Sequence, residues 1–435
     1  MEDYSELSRS LTNEISKTDK KNQGIYFTPP SCVNRTLAIL EKYVSEKDDQ
    51  KKNIDILEPS CGSGEYVSAL HKLFPHANIT AIENNSKIYQ CVKILESERV
   101  TFHNMDYLEY SSKQKYDYIV GNPPYVVMKK NSIDKKYYSY FDGRPNVFIL
   151  FLVKSFDLLK EEGIISFILP KGFLNCLYYD KMRKYIDKHF QILHIIDCKE
   201  DKYIETQQDT ILLIIKKKAQ AQQTQAQQTQ AQQTQAQQTQ AQQTQAQQTQ
   251  AQQAFILYKN DYTIFTDEIT HTKLEELYKD SKSLWELGFK ASVGNIVWNQ
   301  CKDILTYDES KTRLIYSSDI MENSLSIKKY KNPDKKNFIN KQGYTCPILV
   351  INRGYGVGEY NFSYCLIDEQ KEYLVENHLI CIESKTSLPR ETLISVLKKI
   401  LESLKDKRTI DFIKMYFGNN AINITELNHI LPIYL

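Results

Sequence analysis

The residues best equipped for chemistry are Asn122-Pro123-Pro124-Tyr125, which follow an apolar run from Tyr116 to Gly121. Two prolines fix the backbone just past a strand end and remove N–H donors beside two carbonyls. The Asn122 side-chain oxygen and the Pro123 carbonyl can then accept both hydrogens of one –NH₂ group. An amine conjugated to an aromatic ring or a carbonyl is a poor nucleophile, because its lone pair is delocalised. Two acceptors draw the nitrogen towards tetrahedral geometry and offset the positive charge that grows as it attacks a sulfonium methyl. No strong base is required, and these loops offer no histidine suited to that role. Tyr125 supplies a ring on which a planar substrate can stack.

Three further loops carry groups for a nucleoside. Ile56-Leu57-Glu58-Pro59-Ser60-Cys61-Gly62-Ser63-Gly64 places a GxG after a strand, where Gly62 and Gly64 let the backbone pass close to a ligand. The third glycine of a dinucleotide fingerprint is missing, and so is a phosphate-binding GxxxxGK[ST]. Glu83 ends the next strand, where a carboxylate can accept both hydroxyls of a ribose. Asp106 follows the third strand and could accept from an exocyclic amine, although an N-cap or turn role would also suit it. Adenosine without phosphates explains all three together.

These loops need strands to hold them. Apolar runs predict strands at 53–58, 78–83, 100–103, 116–121, 164–169, 192–197 and 210–216, with helical patterns at 65–73 and 146–159 between them. Such alternation implies an α/β, doubly wound, mostly parallel sheet, whose ligands bind outside the carboxyl ends of the strands. From 219 to 253 the chain runs AQ, six copies of AQQTQ, then AQQ, with no charge and no large apolar residue. A five-residue period builds no persistent apolar stripe, so this block reads as a solvated linker without chemistry. The expected division is a polar segment 1–23, a catalytic domain 24–218, the linker 219–253 and an α+β domain 254–435 with a late helix at 390–404.

Composition bounds the remaining possibilities. In 435 residues, 56 Lys+Arg stand against 54 Asp+Glu, a formal net charge of +2 that excludes a histone-like polycation. A local basic face suffices for nucleic acid. The greasiest stretch, 147–169, is broken by Lys154, Asp157 and Lys160-Glu161-Glu162, so no membrane span is expected. A polar, acidic start argues against a signal peptide, and nine cysteines without a CxxC pair fit a reduced cytosol and no structural zinc.

The motifs together resemble the gamma-class N6-adenine DNA methyltransferases of type II restriction–modification systems, a family with a Rossmann-like methyltransferase sheet and a target-recognition domain after it. Gly24-Ile25-Tyr26-Phe27-Thr28-Pro29-Pro30 is similar to the family's F/Y-T-P motif, and Asn122–Tyr125 to its catalytic NPPY. The resemblance implies S-adenosylmethionine as cofactor. Thr28 would face its carboxylate, Glu58 its ammonium, Glu83 the ribose and Asp106 the adenine amine. Tyr107 would lie beside the adenine ring, and Ser60, Gly62 and Gly64 in the cofactor loop. Asn122, Pro123 and Tyr125 would be catalytic, with Tyr203 as a second ring against a flipped base. The segments 284–300, 351–356 and 376–379 resemble blocks of the recognition domain.

That likeness implies sequence-specific methylation of adenine N6 in double-stranded DNA, in the cytoplasm, by a monomer without a metal, alongside a cognate endonuclease. Lys328, Lys329, Lys331, Lys335, Lys336 and Lys341, with Lys129, Lys130, Lys135 and Lys136, are candidate phosphate contacts. Arg353 is a candidate base-edge or phosphate contact. Alternatives are an RNA adenine or protein glutamine substrate, an idle DNA-binding protein, or an added nuclease suggested by Pro333-Asp334 and Glu383-Ser384-Lys385.

Overall fold

Consecutive residues of the first apolar strand feed opposite cores. Ile56 packs into one cluster and Leu57 into another, each fully buried. This alternation repeats along the sheet, as with Ile164 and Ile168 against Ile165 and Phe167. A sheet greasy on both faces must be covered on both. The computed structural model describes residues 4–46, 53–201, 203–206, 208–219, 254–352, 363–417 and 422–435 (backbone only at 45 and 46). The AQQTQ block beyond Ala219 and Arg353 lie outside the described residues.

Two compact units emerge. The first holds a seven-stranded sheet of β1 (Asp55–Glu58), β2 (Asn78–Glu83), β3 (Val100–Asn104), β4 (Tyr116–Gly121), β5 (Leu159–Pro170), β6 (Phe190–Asp197) and β7 (Thr210–Lys217). Their spatial order is β3-β2-β1-β4-β5-β7-β6, with β7 antiparallel to both neighbours and the other pairs parallel. The chain builds outwards from β1 through β2 to β3, then returns to lay β4 on the other side of β1. The β1–β4 junction is therefore the topological switch point, where open α/β sheets form their binding crevice. This is an open, doubly wound, Rossmann-like α/β sheet.

One face carries α3 (Pro30–Glu46) and α4 (Glu65–Leu73), the other α6 (Val147–Leu158) and α7 (Asp180–His189). Helix α5 (Ser86–Val92) follows β2 and is capped by Asn85, whose Oδ1 accepts from the N–H groups of Lys87 and Ile88. The polar segment at the start of the chain forms α1 (Glu6–Glu14) and α2 (Lys17–Gln23), capped by Ser5 and Ser16. Tyr4, Leu11 and Ile15 join Phe27 and Ile88 in a small core of their own.

The first unit also extends past the boundary expected at 254, reaching His271 apart from residues 259–261. Within it, the fully buried Arg183 of α7 donates to the carbonyls of Phe173, Cys176 and Thr263, and Asp180 accepts from the Thr263 N–H. A buried guanidinium needs these acceptors, and Thr263 supplies one from the hairpin of β8 (Ile256–Lys259) and β9 (Tyr262–Phe265).

The second unit is α+β. After α8 (Glu268–Tyr278) come β10 (Phe289–Val293), β11 (Leu305–Thr306), β12 (Thr312–Ile315), β13 (Ile320–Met321), β14 (Ser324–Leu325) and β15 (Phe338–Ile339). β16 (Ile348–Asn352), β17 (Tyr364–Ile367), β18 (Tyr373–Val375) and β19 (Leu379–Ser384) complete the strands. They form sheets ordered β10-β19-β16-β17 and β11-β15-β12-β18, beside the short β13–β14 hairpin. Helices α9 (Arg390–Lys405), α10 (Lys407–Tyr416) and α11 (Ile424–His429) close the chain. Among the described residues no helix is long and apolar enough to cross a membrane.

Candidate active site

The carboxyl ends of β1, β2, β3 and β4 frame a cavity of about 310 Å³, within the range of small-molecule sites. Ser60, Gly62, Glu83, Asp106, Tyr107 and Asn122 border it, so the separate sequence loops do converge. A smaller adjoining cavity takes in Thr28, Glu58, Ser60, Gly62 and Asn122.

Backbone geometry explains the glycines. Gly62 and Gly64 adopt φ of 52° and 80°, left-handed values that side chains with a Cβ resist. Gly121 was not anticipated. A Cβ there would stand 2.6 Å from Glu58 Oε1, so β4 passes this carboxylate only because the side chain is missing.

The two acids differ in kind. Glu58 is 1% exposed and its Oε1 accepts from the Ser60 N–H at 3.2 Å. Burial, with the Glu83 charge adding to it against the Ser60 bond, holds its carboxyl well above the ordinary range. No cation pairs with it among the described residues, so an incoming ammonium would supply the missing counter-charge. Glu83 bridges two loops: Oε2 accepts from the Gly62 N–H at 3.0 Å and Oε1 from the Asn85 N–H at 2.7 Å. Burial pushes it up to about 7, against the pull of those N–H groups and that of Asn84. A cofactor with an ammonium at one end and a nucleoside diol at the other suits this pair.

Asp106 takes the capping role considered for it and also stands at the cavity: its Oδ1 accepts from the Leu108 N–H at 2.8 Å. Tyr107, expected beside an adenine ring, borders the cavity. The side chain is 1% exposed, its hydroxyl pairs with Ser155 at 2.9 Å, and its ring packs on Phe151 at 4.8 Å. It is a wall of the cavity, fixed by the core.

Asn122 is held at both ends. Nδ2 donates to the Tyr26 carbonyl at 3.2 Å, and Oδ1 accepts from the Tyr125 hydroxyl at 3.0 Å. This fixes which end of the amide is the acceptor, with one lone pair of Oδ1 still available. The Asn122 carbonyl accepts from Ser60 Oγ at 3.2 Å, tying the β1 and β4 loops together. No hydrogen bond reaches the Pro123 carbonyl among the described residues. Tyr125 is more constrained than a free stacking surface: its one hydroxyl hydrogen is shared between Asn122 Oδ1 and the Ile168 carbonyl, the latter at 2.9 Å, and its ring meets Phe148 in a T-shaped contact at 6.1 Å. Burial first, then the nearby Tyr203 phenol, keeps Tyr125 neutral. Tyr203 is half-buried in a small recess with Tyr26 and Phe27 and does not itself border the larger cavity.

Sequence reasoning missed part of the cavity wall. Gln23, Gly24, Ile25, Tyr26, Pro124 and Phe151 all border the larger cavity. The GIYFTPP match marked this stretch, but only Thr28 was drawn from it. Also unseen was a cluster of Cys32, Cys198 and Asp201, whose candidate ligand atoms lie within 4.8 Å of one another. Arg35 pairs with Asp201 and donates to Cys32 Sγ at 3.8 Å, putting a cation where a metal would compete.

The candidate phosphate contacts divide. Lys329, Lys331 and Lys341 are exposed and Lys328 is half-exposed. Lys335 instead sits 4.1 Å from the Tyr316 ring centroid and 4.2 Å from that of Tyr330, with its pKa lowered mainly by burial. Lys336 donates to the Leu305 carbonyl at 3.1 Å. Both are therefore engaged within their own unit. The nuclease-like residues are engaged too: Asp334 pairs with Lys302 at 2.8 Å, and Lys385 stands 3.7 Å above the Trp285 ring.

Comparison with known proteins agrees with this picture. Residues 33–204 match the family described as Eco57I restriction-modification methylase. The chain is 26% identical over 435 residues to the modification methylase CviBIII of Paramecium bursaria Chlorella virus NC1A, covering 99% of each. It is 29% identical over 199 residues to the type II methyltransferase M.HincII of Haemophilus influenzae, covering 43% of this chain and 36% of that one. Its fold is similar to that of the protein in the cryo-EM structure of the DrdV–DNA complex, at a TM-score of 0.50 and 13% identity, over 96% of this chain and 57% of the other. Residues 33–204 are an Eco57I restriction-modification methylase domain.

Proposed function

We propose that this chain is a sequence-specific DNA methyltransferase of a restriction–modification system, acting on N6 of an adenine flipped out of the duplex. The observation that carries the reading is the Asn122 amide, fixed by Tyr26 and Tyr125 so that its oxygen remains an acceptor in the wall of the cavity. Bound S-adenosylmethionine supplies the electrophilic methyl. Glu58 balances its ammonium, Glu83 takes the ribose hydroxyls, and Asp106 takes the adenine amine while Tyr107 and Phe151 wall the ring. Asn122 Oδ1 and the Pro123 carbonyl accept the two hydrogens of the target amine, so its nitrogen lone pair turns towards the methyl. Flipping costs a few kcal/mol, which Tyr125 and Tyr203 help to offset. Relatives named as a modification methylase and a type II methyltransferase support the choice of DNA.

The test incubates wild type and Asn122→Ala with methyl-labelled S-adenosylmethionine and unmethylated genomic DNA, followed by digestion to nucleosides. Label in N6-methyladenosine from wild type alone supports the reading, and mapping the modified adenines gives the recognition sequence. Label in RNA or in protein glutamine, with DNA blank, would overturn the substrate. Cofactor binding without any transfer would overturn the reaction.

A further inference from the structure

Lys20 is a cation buried to 4% exposure on α2, in a helix otherwise rich in exposed polar groups. Its Nζ donates to the Glu205 carboxylate at 2.6 Å and to the Thr12 carbonyl. Burying an ammonium costs several kcal/mol unless it is paired, so Glu205 is what allows Lys20 to point inwards. The pair spans a gap of 185 residues and joins the helix that reaches the cofactor cavity to the segment that carries Tyr203.

One piece is the end of α2. Gln23, Gly24 and Ile25 border the cofactor cavity, and Gln23 Oε1 accepts from Asn85 Nδ2 at 3.0 Å. The other is the short segment carrying Tyr203, Ile204 and Glu205, which shares a small recess with Lys20, Tyr26 and Phe27. Helix α2 has only seven residues, so a shift at its cavity end reaches Lys20 directly.

Resting on the proposed function, we infer that the Lys20–Glu205 ion pair makes Lys20 a positioning residue, which couples filling of the cofactor cavity to the seating of Tyr203 against the target base. Cofactor would hold α2 in place, α2 would hold Glu205, and Glu205 would fix the segment bearing the ring. Linkage makes the effect reciprocal: a seated base would tighten the cofactor by the same factor.

Two measurements test this on the full chain, with Glu205→Gln, Lys20→Met and Lys20→Arg as variants. The first follows amide hydrogen exchange with and without S-adenosylhomocysteine. In wild type the ligand should slow exchange both in 4–26 and in 203–206; in Glu205→Gln protection should persist in 4–26 and vanish in 203–206. The second places 2-aminopurine at the mapped target adenine of a duplex. S-adenosylhomocysteine should strengthen duplex binding and raise the flipped-base fluorescence in wild type by a factor within the usual coupling range of about 5–150. That factor should fall to about one in Glu205→Gln and Lys20→Met, and return in Lys20→Arg.

Unchanged protection of 203–206 and an unchanged factor in Glu205→Gln would overturn the inference. So would a lowered melting temperature with the factor intact, which is the mark of a purely structural pair. If wild type methylates no DNA, the functional reading falls, while the exchange experiment still decides whether the cavity and the Tyr203 segment are coupled.

Discussion

Asn122 shows how little freedom a working amide has in this site. The Tyr26 carbonyl and the Tyr125 hydroxyl leave it one orientation. Asn122→Ala should reduce turnover by at least about 100–1,000-fold, the usual loss on removing one preorganised polar group, while calorimetry shows cofactor affinity unchanged. Tyr125→Phe gives up a hydroxyl that serves Asn122 and the Ile168 carbonyl. It should cost about 0.5–1.5 kcal/mol in kcat/KM, the worth of one net hydrogen bond, whereas Tyr125→Ala should lose far more. Glu83 carries a pH signature. Its carboxyl sits at about 7 in the folded chain against an ordinary 4.5, because burial outweighs the N–H groups it accepts from. The folded state therefore holds a proton between those values that the unfolded chain has released, and this group's contribution to stability declines as pH rises through that window. Ligand binding runs the other way, since the diol needs the ionised form. The dissociation constant for cofactor should rise by up to about tenfold per unit as pH falls below 7; a flat wild-type profile, or one that Glu83→Gln leaves unchanged, would contradict this. Glu58, Glu83 and Asn122 were legible in the sequence because each ends, or directly follows, a strand that its own apolar run announces. Tyr26 and Phe151 were not, since their place in the cavity depends on packing between distant segments.

Strands and helices follow the same division. β2 and β4 were read to their ends because buried residues fill them, whereas β5 begins at Leu159, five residues before the expected start. Its first turnings carry Lys160, Glu161 and Glu162, charges that mask a strand, and Glu162 bends with φ of 61° as the register to β4 shifts. The N-terminal helices were hidden for another reason: nine and seven residues are too few for an apolar stripe to stand out, and their caps matter more. Gly24 ends α2 with φ of 69°, and a Cβ on it would lie 2.9 Å from Pro124 Cβ and 3.1 Å from the Tyr125 N. The helix end and the catalytic loop thus lean on one another. Gly24→Ala should cost about 1–2 kcal/mol for the left-handed backbone alone, and it should lower kcat as well by pushing on the loop. Ala at Gly288, whose φ is 80° and whose Cβ would meet nothing within 4 Å, should cost comparable stability. It should spare the kcat of the surviving folded fraction, and thermal melts paired with single-turnover rates distinguish the two.

For the whole molecule, a net charge of +2 leaves no general attraction for a polyanion, so affinity for DNA must come from where the cations stand. Counting lysines in the sequence treats the six from Lys328 to Lys341 as equals. Folding does not, because aromatic rings and carbonyls compete with phosphate for an ammonium. Lys335 is taken up by Tyr316 and Tyr330, and Lys336 by the Leu305 carbonyl, while Lys329, Lys331 and Lys341 stand exposed to solvent. Counterion release turns this difference into a measurable slope: each phosphate contact contributes about −0.9 to the dependence of log K on log salt. If this face meets the backbone, Lys329→Ala and Lys331→Ala should each reduce the slope by about one, equally for target and unrelated duplexes. Lys335→Ala should leave the slope alone and lower the melting temperature instead, because it empties a cage that the core has built around the side chain. A reversed result, with Lys335 setting the slope and Lys329 and Lys331 silent, would mean that the cage opens on DNA and that phosphate outcompetes the two tyrosines.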